Sequence, residues 1–444
     1  MEARPGALLC QTPGVSKRAF RAVLGLTAIV GIGLRVFHIR RAYPGVLEAG
    51  DAGTYRLLAE LMADGKGYIR PRDFLFTGER IPTAEFPPLW PTLLAVLDLF
   101  GFDGSNEQRA FGALLGGVTI VVVGLLAAAV AERRVGAVAA SLTAAYPQLV
   151  VIDTSLFSEG LAVMLVATAL LGVVRARHAE GGVLATAGLR WWLLASVALG
   201  LGALTRSEIV LLAVVLVVPA CRVPDRQAWI RAAMVGLAGV VVCVGGWTVR
   251  NAVALGDLQP FTNNSGTLLS GANCDAVYSG SHIGLWNFDC ADAIDRDGLS
   301  EATFASQQRS AGIDYALDNA TDLPVVGGVR VLRTFGAWNI HNQLFFESLE
   351  GRDYRWLWAG WFNWLGLVAL SLVGAVVEKR SVWRNRWPLL VPLGVVFATA
   401  LASYGNQRFR AIAEPGMLVL AAIGLVVLVD RLRRQGTQAP SGSS

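Results

Sequence analysis

The sequence predicts an all-α, polytopic membrane protein with about ten transmembrane helices and two polar regions outside the bilayer. Three observations carry this. Of the 444 residues, 54% are hydrophobic and 16% charged, with a mean hydropathy of +0.50, and the apolar runs are too many for one soluble core. Basic residues gather at the ends of those runs, as membrane topology requires, so the net charge of +5 and pI near 9.1 need no nucleic-acid partner. The first long polar interruption, from Glu48 to Pro91, contains a short amphipathic pattern of the kind that lies on a membrane surface.

In order, residues 1–19 form a cytoplasmic N-terminus, and Phe20–Arg40 is the first span. Lys17, Arg18 and Arg21 precede it, but no small-residue cleavage site follows before Arg35, so the segment is expected to stay as an anchor. An arginine inside a span costs at least ~2.5 kcal/mol unless it snorkels or is paired; Arg35 therefore reaches the nearby interface, the blander reading, or meets an acid. The first outer loop, 43–109, carries Asp51 at the start of a helix in which Leu57, Leu58, Leu61 and Met62 share a face, closed by Gly65 and Gly67. Asp51 has two readings: an N-cap that accepts orphan backbone N–H groups, or a fixed carboxylate that takes a proton at the membrane surface.

Further spans are expected at Ala110–Ala131, Val135–Val151, Gly160–Val174, Trp191–Leu204, Ile209–Ala220, Ala232–Val249, Trp356–Val377, Leu389–Leu401 and Gly416–Val429, several below the usual ~20 residues. Arg133-Arg134, Arg175 with Arg177, Arg222 with Arg226, the run from Lys379 to Arg386, and Arg431 to Arg434 fall on one side with both termini, which makes that side cytoplasmic. The transmembrane core is then 20–250, an extracytoplasmic loop domain 251–355, the C-terminal helices 356–430, and a disordered cytoplasmic tail 431–444.

On this topology Asp51, Asp153, Glu159, Arg206, Arg408 and Arg410 collect on the outer face. Basic residues in short outside turns run against the positive-inside tendency; they either pair with Glu208 or Glu414 nearby or hold an anionic ligand such as a lipid phosphate. The loop domain opens rich in Asn, Gly and Ser and reads as turn-prone. Cys274 and Cys290 both lie on the oxidising side and are expected to pair, whereas Cys10, Cys221 and Cys243 lie inside or in the bilayer. The four histidines, His38, His178, His282 and His341, have no ligand spacing, so no metal site is assigned.

The ordered set of Arg35, Asp51 with Tyr55, the Gly65/Gly67 break, E-F-P-P-L-W-P at Glu85–Pro91, Arg109, Y-P…S-E at Tyr146–Glu159, L-T-R-S-E at Leu204–Glu208, G-G-W-T-V-R-N…G-D-L-Q-P-F-T-N-N-S-G at Gly245–Gly266 and R-F-R-A-I-A-E-P at Arg408–Pro415 resembles the bacterial branch of the protein O-mannosyltransferase-like enzymes of the GT-C glycosyltransferase superfamily. The resemblance runs over most of the chain and implies a plasma-membrane enzyme of GT-C fold. It would take a hexosyl or pentosyl unit from a polyprenyl-phosphate carrier to a hydroxyl on a lipid, glycan or protein acceptor, with inversion, at the extracytoplasmic face.

Asp51 matches the family's catalytic aspartate; Glu159 and Asp153 are the other candidate acids, and Tyr55, Glu85 and Asn251 candidate substrate contacts. Two departures stand out: Ala52 replaces a second acid, and Phe86 replaces a basic residue before the prolines, so donor-phosphate contact is expected to fall to Arg206, Arg408, Arg410 or Arg250. A divalent cation held by Asp51 with Asp153 or Glu159 is left open, since some GT-C relatives use one. Two other classes compete: a polysaccharide ligase or polymerase, which would need basic residues around Arg330–His341 and no Asp51, and a lipid-linked-sugar transporter or flippase, which would place acids at mid-membrane.

Overall fold

The computed structural model describes residues 15–43, 50–220, 225–296, 298–376 and 383–437. Glu48, Cys10, Cys221, Arg222, Lys379 and Arg380 lie outside these residues. Among the described residues there is no β-strand, only an isolated antiparallel bridge between Ile69 and Pro82.

Helix α1 (Lys17–Ala42) opens the bundle, capped by Ser16, whose hydroxyl accepts from Ala19 N. The first loop folds into α2 (Asp51–Ala63), α3 (Pro71–Thr77) and α4 (Leu89–Leu99). The bundle continues with α5 (Ser105–Val130), α6 (Arg133–Ala145), α7 (Pro147–Thr154), α8 (Glu159–Arg177), α9 (Thr186–Ala203), α10 (Ile209–Ala220) and α11 (Arg226–Leu255). After the loop domain of α12 (Ser265–Ala272), α13 (Phe288–Asp292), α14 (Glu301–Asp318), α15 (Leu323–Thr334) and α16 (Ile340–Leu349), it closes with α17 (Tyr354–Val376), α18 (Trp383–Ala402) and α19 (Glu414–Thr437).

Each of the ten expected apolar runs is helical. Six described helices are by themselves long and apolar enough to cross a membrane, or seven if α6 and α7 count as one bent span; α9, α10 and α18 carry the remaining runs. Helix α8 is the core of the bundle, with 83% of its most apolar window buried, between α5 and α9. Two close crossings depend on glycine. Gly200 of α9 and Gly239 of α11 each face the other helix's backbone, as do Gly374 of α17 and Gly424 of α19, and a Cβ at any of the four would collide with a carbonyl. Small residues let apolar helices gain packing where no hydrophobic drive exists.

The 58° bend between α6 and α7 has a local cause in Pro147, which lacks an N–H and pushes Tyr146 out of the helical region to φ −74°, ψ 111°. The bend frees the Ala144 carbonyl, which accepts from Arg35 Nη1 at 3.4 Å, and brings Asp153 Oδ2 to 2.7 Å from Arg35 Nε. The snorkelling expectation for Arg35 is therefore corrected: the side chain is fully buried and meets an acid.

The loop domain carries five helices, and its turn-prone opening stretch lies outside them at residues 256–264, up to the start of α12. Asn287, Ser300 and Asn339 each accept a backbone N–H with the side chain. Cys274 and Cys290 are joined by a disulfide, and Cys243 is a free cysteine. At the other end, α19 runs to Thr437, so residues 431–437 are ordered helix rather than disordered tail; 438–444 lie outside the described residues.

Candidate active site

One end of the bundle carries a cluster of charges built by five separate segments. Asp51 opens α2, Glu159 opens α8, Arg206 sits in the turn from α9 to α10, Arg408 in a 3₁₀ segment (Gln407–Ala413) before α19, and Glu350 just beyond α16. Glu159 is 1% exposed, and its Oε1 accepts from Arg206 Nη1 at 2.8 Å and from Arg408 Nε at 2.6 Å. One buried carboxylate thus fixes two guanidiniums. The remaining nitrogens of Arg408 reach Asp51 Oδ2 at 2.9 Å and Glu350 Oε1 at 3.2 Å, while Arg206 Nε donates to Glu208 Oε1 at 2.6 Å. Burial works against the Arg206 charge, yet Glu208 and Glu159 hold its pKa above the ordinary value.

Asp51 is not an N-cap. That position belongs to Gly50, which makes no side-chain capping bond, and Asp51 is the first helical residue with its carboxylate turned to Arg408. Its side chain is 36% exposed, far more than any other acid bound to these arginines except Glu350 at 30%. Asp51, Tyr55, Phe86, Arg206, Tyr404 and Arg408 line a cavity of about 200 Å³ that the loop domain closes with Thr262, Asn264, Ser265 and Leu268. Phe157 lies against the guanidinium of Arg408 at 4.2 Å and that of Arg352 at 4.6 Å. The preceding Leu156 holds φ +62°, a left-handed conformation that costs a residue with a Cβ ~1–3 kcal/mol. Trp90 Nε1 pins its carbonyl at 2.8 Å, so this turn, which aims Phe157 and Glu159 into the cluster, is over-determined.

Several expected site residues lie elsewhere. Asp153 is spent on Arg35, and Arg410 on Glu414 at 2.8 Å beneath Trp364 at 3.9 Å, with both members of each pair almost wholly buried. Arg250 donates to the carbonyls of Thr83 at 2.6 Å and Tyr68 at 2.7 Å, and Asn251 Nδ2 to that of Gln259 at 2.8 Å, so this pair fastens both loops to the end of α11. Glu85 faces away from the Asp51 cavity into a neighbouring one; burial, then Glu301 beside it, pushes its carboxyl up to about 7. Glu301 itself, although burial opposes its charge, stays below its ordinary value because Asn263, Ala84 N and Arg70 bind it. Sequence reading missed Glu350 and Leu268, which no local pattern marks, and gave no site role to Thr262, Asn264 and Ser265, although they lie in the T-N-N-S-G stretch.

Among the described residues, no group of three or more His, Cys, Asp and Glu side chains could hold a metal ion. The acids near Asp51 face guanidiniums, so the donor set in this arrangement does not fit a divalent cation.

Residues 86–247 match the family model described as dolichyl-phosphate-mannose-protein mannosyltransferase. No curated relative matches by sequence. The chain is similar to the crystal structure of the Archaeoglobus fulgidus oligosaccharyltransferase in the apo form, with a TM-score of 0.54 and 16% identity over 97% of this chain and 53% of that one. It is also similar to the oligosaccharyltransferase AglB of the same organism in complex with an inhibitory peptide and a dolichol-phosphate, with a TM-score of 0.51 and 18% identity over 96% of this chain and 52% of that one. A third similar structure is ArnT from Cupriavidus metallidurans bound to undecaprenyl phosphate, with a TM-score of 0.42 and 16% identity over 96% of this chain and 82% of that one. The chain therefore spans about half the length of the archaeal oligosaccharyltransferase, whose fold it shares. The chain is thus a multi-pass membrane protein that shares the fold of the archaeal oligosaccharyltransferase, and its residues 86–247 are similar to the dolichyl-phosphate-mannose-protein mannosyltransferase family.

Proposed function

We propose that this protein is a membrane glycosyltransferase that moves a hexosyl or pentosyl unit from a polyprenyl-phosphate-linked donor to an acceptor hydroxyl, with inversion, at the extracytoplasmic face of the plasma membrane. One observation carries the reading: the half-open carboxylate of Asp51 shares a single cavity with two arginines that Glu159 holds in place. The family model's description names a dolichyl-phosphate sugar, and AglB is solved with a dolichol-phosphate; both support a polyprenyl-phosphate donor here. The archaeal oligosaccharyltransferase is also solved with Zn and sulfate, so the fold accommodates a divalent cation, although the acids of this site face arginines.

The chemistry is a one-step displacement. An acceptor hydroxyl oxygen attacks the anomeric carbon from the face opposite the phosphate. Asp51 takes the hydroxyl proton as the new C–O bond forms. The bond from the anomeric carbon to the phosphate oxygen breaks, and the electron pair leaves with polyprenyl phosphate. Arg206 and Arg408 neutralise that growing charge in a partly water-excluded cavity, where such contacts count for most. Glu159 keeps both guanidiniums preorganised, so little reorganisation is needed as charge develops. For Asp51 to act as base and Arg408 to meet phosphate, their mutual contact has to open, and the phosphate is the natural replacement for the aspartate at Arg408 Nη2.

The ligase reading finds little support in the loop domain. Arg330 is buried and donates to Ala272 O and Asn273 Oδ1, and Arg333 to Ile283 O and Ser281 O, so both arginines are spent on the loop domain's own frame. The test is transfer from a panel of radiolabelled polyprenyl-phosphate sugars by purified protein and by Asp51→Asn. The reading expects at least one donor to be consumed by the wild type alone. Equal turnover in the variant removes Asp51 as base.

A further inference from the structure

A second cavity, of about 480 Å³, lies on the other side of α2 from the Asp51 cavity. Helix α2 gives Asp51 and Tyr55 to one and Thr54 and Leu57 to the other. The same division recurs at two more segments: Phe86 and Pro87 face the first cavity and Glu85 the second, while Leu268 faces the first and Thr267 the second. The two spaces thus share three walls, and Thr54 is only about 4.5 Å along the helix axis from Asp51. A volume of this size falls within the ~300–1,000 Å³ of small-ligand sites.

The chemistry of the lining is specific. Its mouth carries exposed aromatic rings, Phe76 at 82% and Phe288 at 60%, and Phe304 lies deeper beside Arg296. The interior carries two polar groups with hydrogen-bonding capacity left: the Glu85 carboxyl makes no side-chain hydrogen bond or ion pair among the described residues, and the buried Nε of Arg296, whose guanidinium lies over the Phe304 ring, has no hydrogen-bond partner. Aromatic faces at the rim with an unspent carboxyl and guanidinium inside suit a ligand with apolar C–H faces and vicinal hydroxyls. An acyl chain would leave both polar groups buried and unpaired, which costs ~1–3 kcal/mol each. A peptide could not bind by adding a strand to a sheet edge, since among the described residues there is no strand to extend.

We propose that this cavity is the acceptor subsite and that the acceptor is a carbohydrate chain, entering past Phe76 and Phe288 and presenting its terminal hydroxyl over α2 to Asp51. The proposal rests on the glycosyl-transfer reading for its name, but the binding it asserts needs no donor. Glu85 and Arg296 grip the penultimate residues of the chain, and Thr54 marks the passage to the base.

The test is saturation-transfer NMR on the full-length protein in lipid nanodiscs, without donor, against linear manno-, gluco-, galacto- and arabino-oligosaccharides and a Ser/Thr-rich peptide of matched size. At least one oligosaccharide is expected to receive saturation and the peptide none. Phe76→Ala combined with Phe288→Ala, both exposed and so harmless to folding, should weaken that oligosaccharide about fivefold or more, and Glu85→Gln about tenfold, while Asp51→Asn leaves its affinity within about twofold. Saturation of the peptide alone, of no oligosaccharide, or of an oligosaccharide equally in wild type and both cavity variants overturns the proposal. Those results leave the transfer reading standing, because donor turnover by wild type and Asp51→Asn is measured separately.

Discussion

Two arginine–carboxylate assemblies sit in the same bundle and differ in what surrounds them. Arg35 with Asp153 is closed: the side chains are 0% and 2% exposed, and the backbone of Gly116 in α5 packs so tightly on both that a Cβ there would strike them. Arg408 with Asp51, Glu159 and Glu350 is open: one guanidinium is shared by three acids, two of them about a third exposed, on the wall of a cavity. A one-to-one buried pair has no charge left for a ligand. A guanidinium contested by several acids can exchange one of them for a phosphate at small cost, because the others still hold it in place.

The widest separation is expected between Asp51→Asn and Asp153→Asn. The first should fold and run as wild type on size exclusion but lose about 10²–10⁴ in transfer rate, the value of a positioned base. The second should lose yield and thermal stability, with transfer per folded molecule close to wild type. Swapped phenotypes would break the comparison.

Stability measurements sharpen it further. Arg35→Met alone leaves a buried carboxylate uncompensated and should cost ~3–5 kcal/mol, whereas Arg35→Met with Asp153→Leu should recover most of that, since a buried pair contributes little beyond its replacement by packed apolar groups. A fluorescence-detected melt in detergent reads both. If the double variant is no better than the single, the pair is not the closed structural unit described.

A smaller effect concerns the loop domain that closes the cavity. Alkylation should reach Cys274 and Cys290 only after reduction, and reduction should lower the melting temperature of the loop domain, since loops of this length closed by a disulfide typically contribute ~3 kcal/mol. Free reaction of both thiols in unreduced protein contradicts the bridge.

The smallest expected effect is at Glu85. Its folded pKa of about 7 lies above the unfolded value, so its carboxyl favours the fold while protonated and that contribution is lost as pH rises from about 4.5 through about 7. Glu85→Gln should match wild type in melting temperature near pH 4.5 and exceed it by a few degrees at pH 8. Equal melting at both values places Glu85 in water.

The sequence carried the bundle well because an apolar run needs only its own residues to be recognised: nine of the ten runs fall on single helices, and Val135–Val151 is split between α6 and α7 at the Pro147 bend. It also showed Asp51, Glu159, Arg206 and Arg408 converging, because topology alone puts them on one face. What it could not show is which arginine meets which acid. Arg35 and Asp153 are 118 positions apart, and only the Pro147 bend brings them together. Arg408 and Arg410 look alike in sequence, yet in a 3₁₀ segment residues two apart point about 120° from each other, so one reaches the cavity and the other Glu414. Arg352, in sequence a loop residue with no motif around it, is buried and paired with Glu350 at 3.1 Å, which ties it to Arg408. The Asn-, Gly- and Ser-rich opening of the loop domain has both outcomes, irregular at residues 256–264 and helical over Ser265–Ala272, because such side chains serve turns and helix starts alike.

The most direct test of the central claim is a donor titration of Arg206→Ala and Arg408→Ala, singly and together, beside Arg80→Ala on the exposed part of the first loop. A desolvated arginine–phosphate contact contributes ~1.5–3 kcal/mol, so each cavity variant should raise the donor KM or lower kcat by about tenfold or more. Lysine at either position should recover only part, because it lacks the bidentate fork, and Arg80→Ala should leave both constants unchanged. If the three cavity variants titrate like Arg80→Ala, the donor phosphate is held elsewhere and this cavity is not the transfer site.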